Sequence, residues 1–170
     1  MRTLLTPRAG NFLGFAACTG MMIFALFAQY VLAMEPCPLC ILQRVAVIVI
    51  GLLFLLAALH GAGRTGRRVY ALLLTLVAIA GAGIAGRHVW LQNLPADQVP
   101  SCGPGLDFML ETFPIMEVLS IVLSGSGECA EVSWRFLGLT IPGWTLIALL
   151  FLGIYGVWVN WYLAEAPIES

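Results

Sequence analysis

The stretch Val45-Ala46-Val47-Ile48-Val49-Ile50-Gly51-Leu52-Leu53-Phe54-Leu55-Leu56-Ala57-Ala58-Leu59-His60-Gly61-Ala62-Gly63 carries no formal charge and is bounded by Arg44 and Arg64. A helix that crosses a bilayer needs about 20 mostly apolar residues, and this run supplies 19. Lipid offers no partner to a backbone N–H or C=O, so such a run must close its own hydrogen bonds as a helix. The rest of the chain has the same character: 61% of its 170 residues are hydrophobic and 10% charged, with a mean hydropathy of +0.96. Soluble domains carry about 25% charged residues, so this chain cannot clothe a water-facing surface. It also holds too much apolar area to stay disordered.

Three further uncharged runs lie on either side. Asn11 to Met34 comes first. It is too long for a signal-peptide core and lacks a small-x-small cleavage site, so it reads as a retained helix. Val69 to Gly86 lies between Arg68 and Arg87, and Phe136 to Ala164 follows Arg135, with Pro142 near its start and Pro167 past its end. The expected fold is all-α: a four-transmembrane-helix bundle forming one integral membrane domain over residues 1–170, with outer loops at 35–44 and 87–135.

Four spans place both termini on one side, and the arginines choose the side. Arg2, Arg8, Arg64, Arg67 and Arg68 share one face, and Arg44, Arg87 and Arg135 the other. The excess marks the cytoplasmic face, so both termini are expected inside. All eight basic residues are Arg and net charge is −1, which is no footprint for nucleic acid. This topology puts Cys37 and Cys40 in the first outer loop and Cys102 and Cys129 in the second, and leaves Cys18 within a span. In a bacterium with a periplasm, that outer compartment is where disulfides persist.

The second outer loop is too long for a plain connector. Leu106, Met109, Leu110 and Phe113 recur at helical spacing, with Asp107 and Glu111 between them, up to Pro114. Ile115 to Leu123 is apolar but too short to span. One or two short helices are expected there, lying on the membrane surface or packed on the bundle top.

Chemistry points to Glu35-Pro36-Cys37-Pro38-Leu39-Cys40-Ile41-Leu42-Gln43-Arg44. Cys-x-x-Cys pairs are common redox centres. Pro38 suits a first helical position, which puts Cys40 in the first turn, where the helix dipole favours a thiolate. Arg44 follows one turn later on the same face, able to steady a thiolate or an electron-rich ligand oxygen. The spacing also fits a soft-metal site or a structural disulfide. Cys102 and Cys129, with 26 residues between them, could bridge, and Gly103, Pro104, Gly105, Gly125 and Gly127 around them would let the loop move. Two pairs on one membrane face suggest thiol–disulfide exchange between them. His88, beside Arg87 at the depth of Arg44, is a candidate proton relay. Cys18 reads as a buried small hydrophobe.

The chain resembles the DsbB family. The matching pieces are Pro36-Cys37-Pro38-Leu39-Cys40 with Arg44, Arg87-His88, and Ser126-Gly127-Glu128-Cys129-Ala130-Glu131, leading through Trp134-Arg135-Phe136-Leu137-Gly138-Leu139 to Pro142 and Trp144. The order of the cysteine pairs differs from that of the vitamin K epoxide reductase family, where the loop cysteines come first. The resemblance implies a bacterial inner-membrane thiol:quinone oxidoreductase that reoxidises a periplasmic DsbA-type thiol oxidase. Electrons would pass from that partner to Cys102–Cys129, then to Cys37–Cys40, then to a membrane quinone, ubiquinone or menaquinone. It further implies Cys102 as the residue that meets DsbA, Cys40 as the thiolate nearest the quinone, Arg44 beside a quinone oxygen and His88 near the ring. Where the family has a Glu-Arg pair, this chain has Gln43-Arg44. The residues alone also allow a membrane metal-handling protein using the same four thiols, or a structural subunit with two inert disulfides.

Overall fold

The computed structural model describes residues 6–95, 97–100, 106–132 and 134–162. In chain order the elements are α1 (Pro7–Tyr30), α2 (Pro38–His60), α3 (Arg64–Leu91), α4 (Leu106–Thr112), α5 (Ile115–Ser124), α6 (Gly127–Ala130), a hairpin of β1 (Arg135–Phe136) and β2 (Leu139–Thr140), and α7 (Ile141–Val157), which runs into a π-helical turn at Trp158–Tyr162. The four long helices are each long and apolar enough to cross a membrane.

Local signals set the helix ends. Thr6 caps α1 through its side chain, with Pro7 in the first turn. Cys37 caps α2, its sulfur accepting from the Cys40 N–H, and Pro38 opens the helix. Gly61, in the left-handed region at φ 56°, ends it.

The bundle packs α1 on α2, α2 on α3 and α3 on α7. Phe54, Ile50, Leu74 and Leu149 are fully buried at its centre, with Cys18 beside them as the expected small hydrophobe. Small residues let the backbones approach, which is how membrane helices associate when lipid removes the hydrophobic drive. A Cβ on Gly153 would lie 2.8 Å from that of Ala78, and one on Gly81 would lie 2.9 Å from that of Ala46. Leu72, Ile79, Phe151 and Ile154 face outward, as a lipid-facing surface requires. At the end away from the Cys-x-x-Cys, buried Asn11 and Asn160 exchange reciprocal amide hydrogen bonds of 3.0 and 2.9 Å and tie α1 to the π-helical turn.

The fourth long helix begins at Ile141, not at residue 136. The uncharged run hides a hairpin, because Leu137 and Gly138 both take positive φ and reverse the chain. Trp144 donates its indole N–H to the Phe136 carbonyl and holds the hairpin against α7. α3 overruns its charge-defined limits at both ends, since a terminal Arg can carry its charge out of the apolar layer without ending the helix, whereas α1 and α2 start earlier than expected, at Pro7 and Pro38, and stop short of Met34 and Gly63, at Tyr30 and His60.

The second connection forms a cap. Met109, Val118, Val122 and Cys129 bury against Leu39 of α2 and Leu91 of α3, while Ile115 and Met116 on the far side of α5 stay exposed. Arg87 donates to the Leu123 and Ser124 carbonyls at the end of α5 and lies 4.4 Å over the Trp90 ring. Gly125 has a role other than the mobility expected of it. It takes φ +85°, and a Cβ there would collide with Leu91 Cδ1, so glycine lets the chain pass close over α3.

Candidate functional site

The start of α2, the outer end of α3 and the short α6 meet at one point. Cys37 and Cys40 are half-buried, with their sulfurs 3.3 Å apart. That closeness follows from the cap, because the Cys37 sulfur accepts from the Cys40 N–H at 3.4 Å and so folds back over the first turn. His88 comes from α3 and is 2% exposed. Its Nε2 lies 3.7 Å from Cys37 Sγ and its Nδ1 4.0 Å from Cys40 Sγ. The ring thus sits against both thiols.

Cys129 completes the cluster. It is fully buried, and its sulfur, that of Cys37 and a ring nitrogen of His88 all lie within 4.8 Å of one another. Its thiol is pushed well above the ordinary thiol range, first by the hydrogen bond with Cys37, which favours the protonated form, and then by burial. Two sulfurs and an imidazole are also a donor set for a soft cation. Cys102 lies outside the described residues.

On the other side of the Cys-x-x-Cys is a cavity of about 580 Å³. Its lining joins Cys37, Cys40, Gln43, Arg44 and His88 to Met21, Phe24 and Ala25 of α1 and to Trp134, Phe136, Trp144 and Ala148. Trp134 and Phe136 stack with ring centroids 5.7 Å apart. The size falls in the range of small-molecule sites, and so does the character: apolar walls with a few converging polar groups. Arg44 is held from α1, donating to Gln29 Oε1 and, at 3.2 Å, to the Ala25 carbonyl. Gln92 Oε1 is the one buried side-chain oxygen or nitrogen without a hydrogen-bond partner among the described residues, and Gln92 lines the cavity.

The model of the family described as disulfide bond formation protein DsbB matches residues 7–159. The chain belongs to the DsbB family. Curated relatives agree along almost the full length. A disulfide bond formation protein B of Nitrosococcus oceani is 63% identical over 154 residues, covering 91% of each chain. Those of Chromobacterium violaceum and Hahella chejuensis are 58% and 56% identical over 161 and 158 residues, covering 95% and 93% of this chain and 95% and 94% of theirs. The DsbB family reoxidises DsbA through a quinone, and this DsbB-family chain is accordingly a disulfide-generating membrane oxidoreductase.

Of the residues singled out in the sequence, Cys37, Cys40, Cys129, Arg44 and His88 converge. His88 stands at the centre of the thiol cluster, which its sequence position alone only suggested. Gln29, Gln43 and Gln92 escaped the sequence reading as site residues. A signal was available, since a polar side chain within or at the edge of an apolar run is a functional candidate by default.

Proposed function

We propose that Cys129 passes electrons to the Cys37–Cys40 pair on the periplasmic side of the bacterial inner membrane, and that a quinone in the adjoining cavity takes them up. What carries the reading is the two-sided setting of the Cys-x-x-Cys: Cys129 on one side, the Arg44-lined cavity on the other.

A reduced DsbA-type partner attacks the Cys102–Cys129 disulfide at Cys102 and frees Cys129 as a thiol. The Cys129 thiolate then attacks Cys37 Sγ in the Cys37–Cys40 disulfide. A Cys37–Cys129 bond forms, the Cys37–Cys40 bond breaks, and Cys40 leaves as a thiolate. Once the partner's second thiol has displaced Cys102, Cys102 attacks Cys129, restores the loop disulfide and frees Cys37. The net result is two electrons moved from the partner to Cys37 and Cys40.

The donor set of the cavity fits a quinone. Arg44 would supply N–H donors for a ring oxygen, and Gln92 adds a polar group to the same cavity. The apolar walls suit an isoprenoid tail. When bound, the quinone supplies a terminal two-electron, two-proton acceptor. DsbA-type enzymes are themselves strong oxidants, so thiols alone cannot easily reoxidise them, and a lipid-soluble acceptor explains why one cysteine pair is fixed at the end of a membrane helix.

The test is quinone reduction by purified protein with a reduced DsbA-type donor, run with ubiquinone and with menaquinone analogues. Turnover that needs both donor and quinone is expected. Donor oxidation without quinone reduction would overturn the proposal. For the orientation, a membrane-impermeant alkylating reagent on intact, mildly reduced cells should reach Cys37 and Cys40 but not Cys18, and labelling only in broken cells would reverse the topology.

A further inference from the structure

Gln43 lies one turn beyond Cys40 on α2 and is 4% exposed. Its amide Nε2 is 3.0 Å from His88 Nδ1. On the opposite edge of the same ring, Nε2 faces Cys37 Sγ at 3.7 Å. The three groups form a line, amide, imidazole, sulfur, buried at its amide and ring.

The geometry points to Gln43 as a positioning residue that fixes the tautomer of His88, so that His88 presents an N–H, not a lone pair, to the sulfur of Cys37. This rests on the thiol-exchange reading above and goes beyond it in assigning a direction to the hydrogen bonds. A neutral imidazole has one donor nitrogen and one acceptor nitrogen. With its NH2 end turned to the ring, Gln43 offers Nδ1 only donors, and Nδ1 accepts. The proton then sits on Nε2, which points at Cys37. A hydrogen bond made at one ring nitrogen sets the state of the other.

The consequence is chemical. An imidazole with its lone pair toward Cys37 would act as a base and take the thiol proton. One with its N–H toward Cys37 cannot. It instead donates to the sulfur when that sulfur carries charge, which is its condition as it leaves the Cys37–Cys129 bond. No proton crosses between His88 and Cys37 in that step. A carboxylate at position 43 would do the reverse, accepting from Nδ1–H and turning the Nε2 lone pair to the sulfur. Gln43 therefore decides whether His88 is a donor or a base.

The experiment uses the reduced, quinone-free protein with ¹⁵N-labelled histidine in lipid nanodiscs. The chain has 2 histidines, so a His60→Gln spectrum assigns His88. The expected spectrum shows a protonated Nε2 and an unprotonated Nδ1. In Gln43→Glu the proton should move to Nδ1. In Gln43→Leu the tautomers should mix, losing a preference of up to about tenfold, the equivalent of one net hydrogen bond. A wild-type His88 protonated on Nδ1, or a tautomer unchanged in Gln43→Leu, would overturn the inference. Should Gln43→Leu fail to fold, Gln43→Glu carries the test, and a wild-type His88 protonated on Nδ1 overturns the inference without either variant. The readout needs neither DsbA nor quinone. An enzyme with the expected tautomer but no quinone reduction would sink the functional proposal and spare this one.

Discussion

The sulfur of Cys129 lies beside that of Cys37, the two falling within 4.8 Å of each other and of a His88 ring nitrogen. A disulfide sets its sulfurs about 2 Å apart, so the two must close by less than about 3 Å to join. The position follows from packing: Cys129 is fully buried in the cluster that holds Leu39, Leu91, Val118 and Val122.

This relationship predicts a trap. With Cys40→Ser, Cys37 has no partner in its own helix turn. Mild oxidation should then give a Cys37–Cys129 disulfide in high yield, read by peptide mapping under non-reducing conditions. Pairing of Cys37 with Cys102 instead would mean that Cys129 does not stand where the exchange occurs.

The second prediction concerns pH. The folded-state affinity of Cys129 for its proton is raised, first by Cys37 and then by burial. A raised value favours the protonated folded state, so its stabilising contribution is present below the unfolded thiol value of about 8.5 and fades as pH rises further. Alkylation of Cys129 in the reduced protein should be slow at pH 8. Cys37→Ala removes the larger cause, and the rate at pH 8 should then rise severalfold. An unchanged rate would assign the effect to burial alone.

Arg44 and Gln29 should behave as a unit. Arg44→Ala should raise the KM for quinone at least tenfold, the cost of about one charge-assisted hydrogen bond. Arg44→Lys keeps the charge but loses the planar fork and should fall between. Gln29→Leu leaves the guanidinium without one of its two anchors on α1 and should raise KM by a smaller factor. Steady-state kinetics at saturating thiol donor separate these cases, and a Gln29→Leu enzyme with wild-type KM would show that Ala25 alone positions the side chain.

Close helix contacts set the last prediction. Gly153→Ala places a Cβ 2.8 Å from that of Ala78, and neither can swing aside because both are fixed to helix backbones. Overpacking of this kind costs about 1–3 kcal/mol, seen as a lower Tm in detergent. Gly83 on α3 has nothing within 4 Å, so Gly83→Ala should be neutral or stabilising by up to about 1 kcal/mol. A fall in both would point to lipid or detergent effects in place of helix packing.

The four spans, the opening of α2 at Pro38 and the short helix before Pro114 were legible in the chain alone. Each depends on neighbours in the chain: uncharged length against bilayer thickness, or a cap that acts within four residues. The same local reading took residues 136–164 for one span, because a Leu137-Gly138 turn with positive φ changes no charge and little hydropathy. It read Gly125 as a point of mobility, since sequence does not reveal Leu91 beneath it. The site, by contrast, is assembled by packing. Cys37, His88 and Cys129 are separated by 51 and 41 positions, and no periodicity reports a contact at that distance. Gln43 looked like a neutral substitution for an acid until α3 brought His88 within 3.0 Å of it. Hydrogen-bond direction depends on which atoms face each other, and that is fixed only when the helices pack.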